Sequence, residues 1–61
     1  MIFNIGDNIK VVYVDNNITK VLKGILEDET DLLITLNLNG TNKKTIIGKR
    51  AIVKISGIED Y

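Results

Sequence analysis

Apolar residues in this chain recur mostly at every second position, in short runs separated by clusters of Asp, Asn, Glu and Gly. That period belongs to half-buried strands, whereas an amphipathic helix places its apolar residues at i, i+3, i+4 and i+7, a spacing no segment shows. Two runs, residues 24–26 and 32–36, flank the acidic stretch Glu27, Asp28, Glu29, Thr30, Asp31 and read as two strands joined by a turn. The other runs predict strands that pair with these. A first strand over residues 9–14 divides into Ile9, Val11 and Tyr13 on one face and Lys10, Val12 and Val14 on the other. Gly6-Asp7-Asn8 reads as the turn leading into it. Asp15-Asn16-Asn17 follows as a hairpin turn, because Asp and Asn bond their own backbone and tolerate left-handed geometry.

The second strand, residues 18–26, sets Leu22 and Leu26 on one face with Gly24 between them, and a glycine inside a strand marks a bend or the close approach of another backbone. The third, residues 32–38, predicts Leu32, Ile34, Leu36 and Leu38 inward and Leu33, Thr35 and Asn37 outward. Asn39-Gly40 is a type I′ hairpin signal, since both central positions of that turn need positive φ. Residues 41–47 return as a fourth strand. Gly48-Lys49-Arg50 interrupts the pattern over too few residues for an α-helix, and residues 51–55 form a fifth strand with Ala51, Val53 and Ile55 facing one way. Residues 56–61 read as a polar tail. Short strands at this spacing, a bend glycine and a one-turn break before the last strand predict an all-β, five-stranded SH3-like small barrel, one domain over residues 1–61.

Length sharpens this expectation. A chain of 61 residues buries only about 60% of the surface its unfolded form exposes, and small scaffolds usually add disulfides, a metal or a partner subunit. With no Cys and no His, a disulfide is excluded and the usual zinc ligands are missing. Dense apolar packing, or self-association as a homo-oligomer, remains. No apolar run is long enough for a transmembrane helix, and the N-terminus lacks the basic region and apolar core of a signal peptide, which predicts a cytoplasmic protein with no membrane partner. The formal charge is zero, but it is unevenly placed. The first forty residues carry Lys10, Lys20 and Lys23 against Asp7, Asp15, Glu27, Asp28, Glu29 and Asp31, while the remainder carries Lys43, Lys44, Lys49, Arg50 and Lys54 against Glu59 and Asp60. That asymmetry predicts an acidic pole and a basic pole, the second able to take a polyanion.

Lys49 and Arg50 stand at the break between the last two strands, where two cations can meet a phosphate and the guanidinium can also stack on a base. Lys43 and Lys44 follow the Asn39-Gly40 turn and extend the candidate patch, although lysines on an edge strand also serve to discourage aggregation. The acidic run lacks the alternating ligand positions and turn glycine of a calcium loop, so no metal site is assigned. Without His or Cys, a glycine-rich phosphate loop or a nucleophile elbow, no catalytic residue and no cofactor are assigned, and the chain reads as a non-enzyme.

The order Gly24-Ile25-Leu26-Glu27 followed by Leu32-Leu33-Ile34-Thr35-Leu36 resembles the first motif of the Sm-like proteins, and Gly48-Lys49-Arg50-Ala51-Ile52 is similar to the second motif of their bacterial Hfq branch. The resemblance covers residues 9–55. It implies a ring of identical subunits, closed by pairing the fourth strand of one copy with the fifth of the next, and binding of single-stranded, uridine-rich RNA. The alternative is an SH3-like assembly module whose acidic turn or apolar edge takes a protein partner and which binds no nucleic acid.

Overall fold

The computed structural model describes residues 3–38 and 43–58. Its elements are β1 (Asn8–Asp15), β2 (Ile18–Glu29), β3 (Leu33–Leu38), β4 (Lys44–Gly48), a 3-10 turn (Lys49–Ala51) and β5 (Ile52–Gly57). All pairings are antiparallel, in one five-stranded sheet of order β4-β3-β2-β1-β5. β1 to β4 pair in chain order, and β5 returns to lie beside β1. β4 and β5 are therefore the two outer strands, and no pairing joins them.

One core holds the sheet together. Ile9 and Val11 from β1, Leu26 from β2, Ile34 and Leu36 from β3 and Ile47 from β4 are buried, and Ile52 and Ile55 of β5 pack against them with Phe3, Tyr13 and Leu22. A flat single sheet has no second layer to cover its apolar face. Complete burial of side chains from four strands, with β5 packed on them, requires the sheet to curl over itself. Gly24 permits the curl: a Cβ built there would lie 2.5 Å from the carbonyl oxygen of Asn37 on β3. The expectation of a bend or close backbone approach at this glycine is thus met by the second of the two.

The β1–β2 hairpin turns through Asn16 (φ 52°) and Asn17 (φ 62°), the pair of left-handed residues that a type I′ turn needs. Asn39-Gly40, the other predicted turn of this type, lies outside the described residues. Ahead of β1, Gly6 takes φ 98°, so the segment doubles back at Ile5-Gly6. The Gly6 amide donates to the Leu26 carbonyl at 2.7 Å, and the Leu26 amide donates to that of Asp7 at 2.9 Å. Phe3 is thereby carried to the core beside Gly57.

Four expectations need correction. The strand β2 does not end at Leu26 but runs through Glu29, with a bulge at Glu27. The acidic residues at 27–29 are strand, and only Thr30, Asp31 and Leu32 form the connection. Leu32, expected inward, sits in that connection and is 71% exposed. Val53, expected to face the same way as Ile55, falls where the β1–β5 register slips between Lys54 and Ile52; as the extra residue of that bulge it is 65% exposed, while Ile55 and Ile52 pack on the core. Finally, Ser56 and Gly57 belong to β5 and not to a polar tail.

Candidate nucleic-acid interface

The four nominated cations lie along β4 and just beyond it, and they do not form one patch. Lys43 and Lys44 stand at its start, Lys49 and Arg50 in the 3-10 turn after its end. At about 3.4 Å per residue of strand, roughly 17 Å separates Lys44 from Lys49 along the chain. The amide of Lys49 donates to the carbonyl of Leu32 at 2.8 Å, which brings the basic turn against the β2–β3 connection. Within that connection Thr30 Oγ1 accepts the amides of Leu33 at 3.1 Å and Leu32 at 3.4 Å, a hydroxyl doing the turn-closing work more often given to Asp or Asn. The result is an exposed Arg50 on one side and an exposed Leu32 on the other, at one end of the sheet.

The acidic and basic poles expected from the sequence are folded onto one another. Glu29 stands opposite the buried Ile34, on the core side of the sheet, and its Oε2 takes the Lys49 ammonium at 2.8 Å across the start of β3. Glu27, released by the bulge, reaches over the outer face: Oε1 accepts from Asn37 Nδ2 at 2.9 Å and Oε2 pairs with Lys44 Nζ at 3.0 Å. Two of the four cations therefore already hold a carboxylate. Arg50 is exposed, and among the described residues no ion pair holds it. Asp28 faces Thr35 and takes no part in these pairs. No group of three or more Asp or Glu among the described residues could hold a metal ion.

These contacts lower the pKa of both carboxyls from 4.5: for Glu27 chiefly the Asn37 hydrogen bond and then that of Lys44, for Glu29 chiefly the Lys49 hydrogen bond. A carboxyl whose folded pKa is depressed favours the folded state while ionised. That contribution is complete above the unfolded value and is lost as pH falls through the folded one. Through these two groups the melting temperature is therefore expected to be flat from about pH 5 to neutral and to drop below about pH 5. The paired variant Glu27→Gln with Glu29→Gln should flatten that acid limb in melts recorded across pH 3 to 7, and an unaltered slope would remove these two groups as its source.

A groove of about 300 Å³ opens along the seam that the sheet leaves unclosed, lined by Tyr13, Val14 and Asp15 of β1, residues 45–48 of β4 and Ala51. The main chain faces into it from both sides. The Leu38 amide donates to the Lys43 carbonyl, and Lys49 donates to Leu32, so odd-numbered residues of β4 bond β3. By the alternation of an antiparallel pair, Lys44 and Ile46 turn their amides and carbonyls outward. Val14 does the same on β1, beyond the point where β5 begins opposite Tyr13. The side chains of Val14 and Ile46 are exposed beside these outward-turned groups.

Three lysines outside the nominated site converge elsewhere. Lys10 stands directly opposite Lys23, and Lys54, opposite Val12, is diagonal to Lys10 on the same outer face. The signal was present as strand alternation, but it needed the pairing register to bring residues so distant in sequence together. No family model matches the chain, and neither a curated protein nor a solved structure matches it. Fold and site define a small all-β protein with a single curled antiparallel sheet, whose two outer strands are linked by a short basic turn. No helix among the described residues is long and apolar enough to cross a membrane.

Proposed function

We propose that this chain is an Sm-like, Hfq-like small barrel that assembles with further copies of itself and binds single-stranded RNA at the basic turn, as a binding module and not an enzyme. The observation that carries this is the strand order β4-β3-β2-β1-β5 with the 3-10 turn joining its two outer strands. That order leaves β4 and β5 as complementary edges of five and six residues. Pairing β4 of one copy with β5 of the next around a closed rotation removes both edges and adds the burial that so short a chain lacks. In the same order the basic turn packs against the β2–β3 connection. Arg50 supplies a cation and a planar stacking surface, and Lys49 joins it when phosphate displaces Glu29.

The experiment combines size-exclusion chromatography with light scattering and anisotropy of a fluorescent oligo-uridine. The expected outcome is a discrete oligomer whose RNA affinity falls as salt rises. Arg50→Ala should weaken it by roughly tenfold, the magnitude of one lost charged hydrogen bond. A monomer that ignores oligo-uridine at low salt would instead favour the second reading, an SH3-like protein-interaction module. The supporting observation for that alternative is the groove, with main-chain groups and the exposed Val14 and Ile46 along its rim.

A further inference from the structure

We infer that the outer face of β2-β1-β5 carries a second anion site, separate from the basic turn, in which Lys23, Lys10 and Lys54 form a row that takes the phosphodiester backbone of a nucleic-acid strand. The row follows from register. Ile9, Val11 and Leu26 point into the core, so Lys10 and Lys23 point away from it, and antiparallel partners share a face. The Ile58 amide donates to the Asn8 carbonyl, so even-numbered residues of β1 bond β5. Lys10 and Lys23 therefore form a pair without mutual hydrogen bonds, the type whose Cα atoms approach to about 4.5 Å. Lys54 lies diagonally across β1 from them, at about 7–8 Å from Lys10.

Like charges directly opposite one another weaken a sheet, and among the described residues no carboxylate pairs with any of the three. The contrast with Lys20, Lys44 and Lys49 is sharp, because each of those holds an acid. Protection of an exposed edge accounts for Lys54 on β5. It does not account for Lys10 and Lys23, whose strands lie inside the sheet. A line of three unneutralised ammonium groups across three strands suits successive phosphates of one strand. Anionic membranes are read by broader clusters of about four to eight cations, so the narrow row favours the nucleic-acid backbone.

The test measures binding of fluorescent oligo-uridine and oligo-deoxythymidine of equal length to the full chain, across a salt series, with Lys23→Gln, Lys54→Gln and Lys20→Gln. The first two should each weaken both strands by about threefold or more and reduce the salt slope by about 0.7. Lys20→Gln makes the same charge change at a lysine already held by Asp15, and should alter neither quantity. Lys23→Gln should also raise the melting temperature by roughly 2–4 °C as the opposed charges are relieved, so weaker binding cannot come from lost folding. Equal effects of all three variants would overturn the row in favour of net charge. So would a wild-type chain that binds neither strand at low salt, or a Lys23→Gln that loses phosphatidylserine vesicles while strand binding stays intact. Arg50→Ala separates the two sites. If it alone abolishes binding, the turn stands and the row falls; if only the lysine variants matter, the row stands and the turn falls.

Discussion

Replacing Gly24 by alanine is expected to destabilise the protein by about 3 kcal/mol, the upper range for forcing extra volume into a packed site. In a domain this small that lowers the melting temperature by roughly 12–24 °C. The atom in the way is backbone: the new methyl would sit 2.5 Å from the Asn37 carbonyl oxygen and 3.1 Å from its carbon. No rotamer can relieve a clash with main chain, so β2 and β3 must separate at the Gly24–Leu38 pair. That pair lies where the sheet curls, next to the Glu27 bulge, and its opening would expose Leu26 and Leu36 together. Circular-dichroism melts of the variant decide the matter. A melting temperature within about 3 °C of the parent would mean that the strands do not approach this closely at residue 24.

Leu26→Ala is the second change with a large expected effect, about 3 kcal/mol within the range for buried leucines. Leu26 is fully buried opposite Leu36, which is also fully buried. Its amide and carbonyl hold Asp7 and Gly6, and alanine keeps those bonds, so the loss reports the side chain alone. Leu32→Ala is the matched comparison. It removes the same atoms from a side chain that is 71% exposed, and should cost less than about 0.5 kcal/mol. Urea titrations of the two variants should therefore differ widely in midpoint. Similar midpoints would contradict the placement of Leu32 in the connection and restore it to the inward face.

The pair Leu26 and Leu32 also shows where sequence pattern succeeds and where it stops. Strict alternation carried Ile9, Val11 and Tyr13 to the core face of β1, and Ile34 and Leu36 to that of β3, because a pleated strand reverses its side chains at every residue. At Leu32 the alternation is still visible in the sequence, but the Thr30 hydroxyl closes a turn there and takes the residue out of the strand. At Val53 a bulge inserts one residue and reverses the faces after it. Both deviations depend on what lies across the sheet, which a period along one strand does not report. The candidate site was legible to a similar degree. Lys49 and Arg50 do occupy the short turn expected of them, but that Lys49 is held by Glu29, twenty residues earlier in the chain, was beyond any local pattern.

The order of residues by itself determined that this chain forms short strands, roughly where they fall, and which side chains of β1, and of β3 from Ile34 on, face the core. Those properties follow from period-two apolar spacing and from the turn at Asn16-Asn17, which act over a few residues. Only the tertiary structure decided that β5 returns to β1, that the acidic and basic stretches neutralise one another at Glu27–Lys44 and Glu29–Lys49, and that Lys10, Lys23 and Lys54 share one face. Charge and main-chain groups act through space, so their partners are set by strand register and by two single-residue bulges. A slip of one position in pairing would have exchanged every one of those neighbours while leaving the hydrophobic pattern of the sequence unchanged.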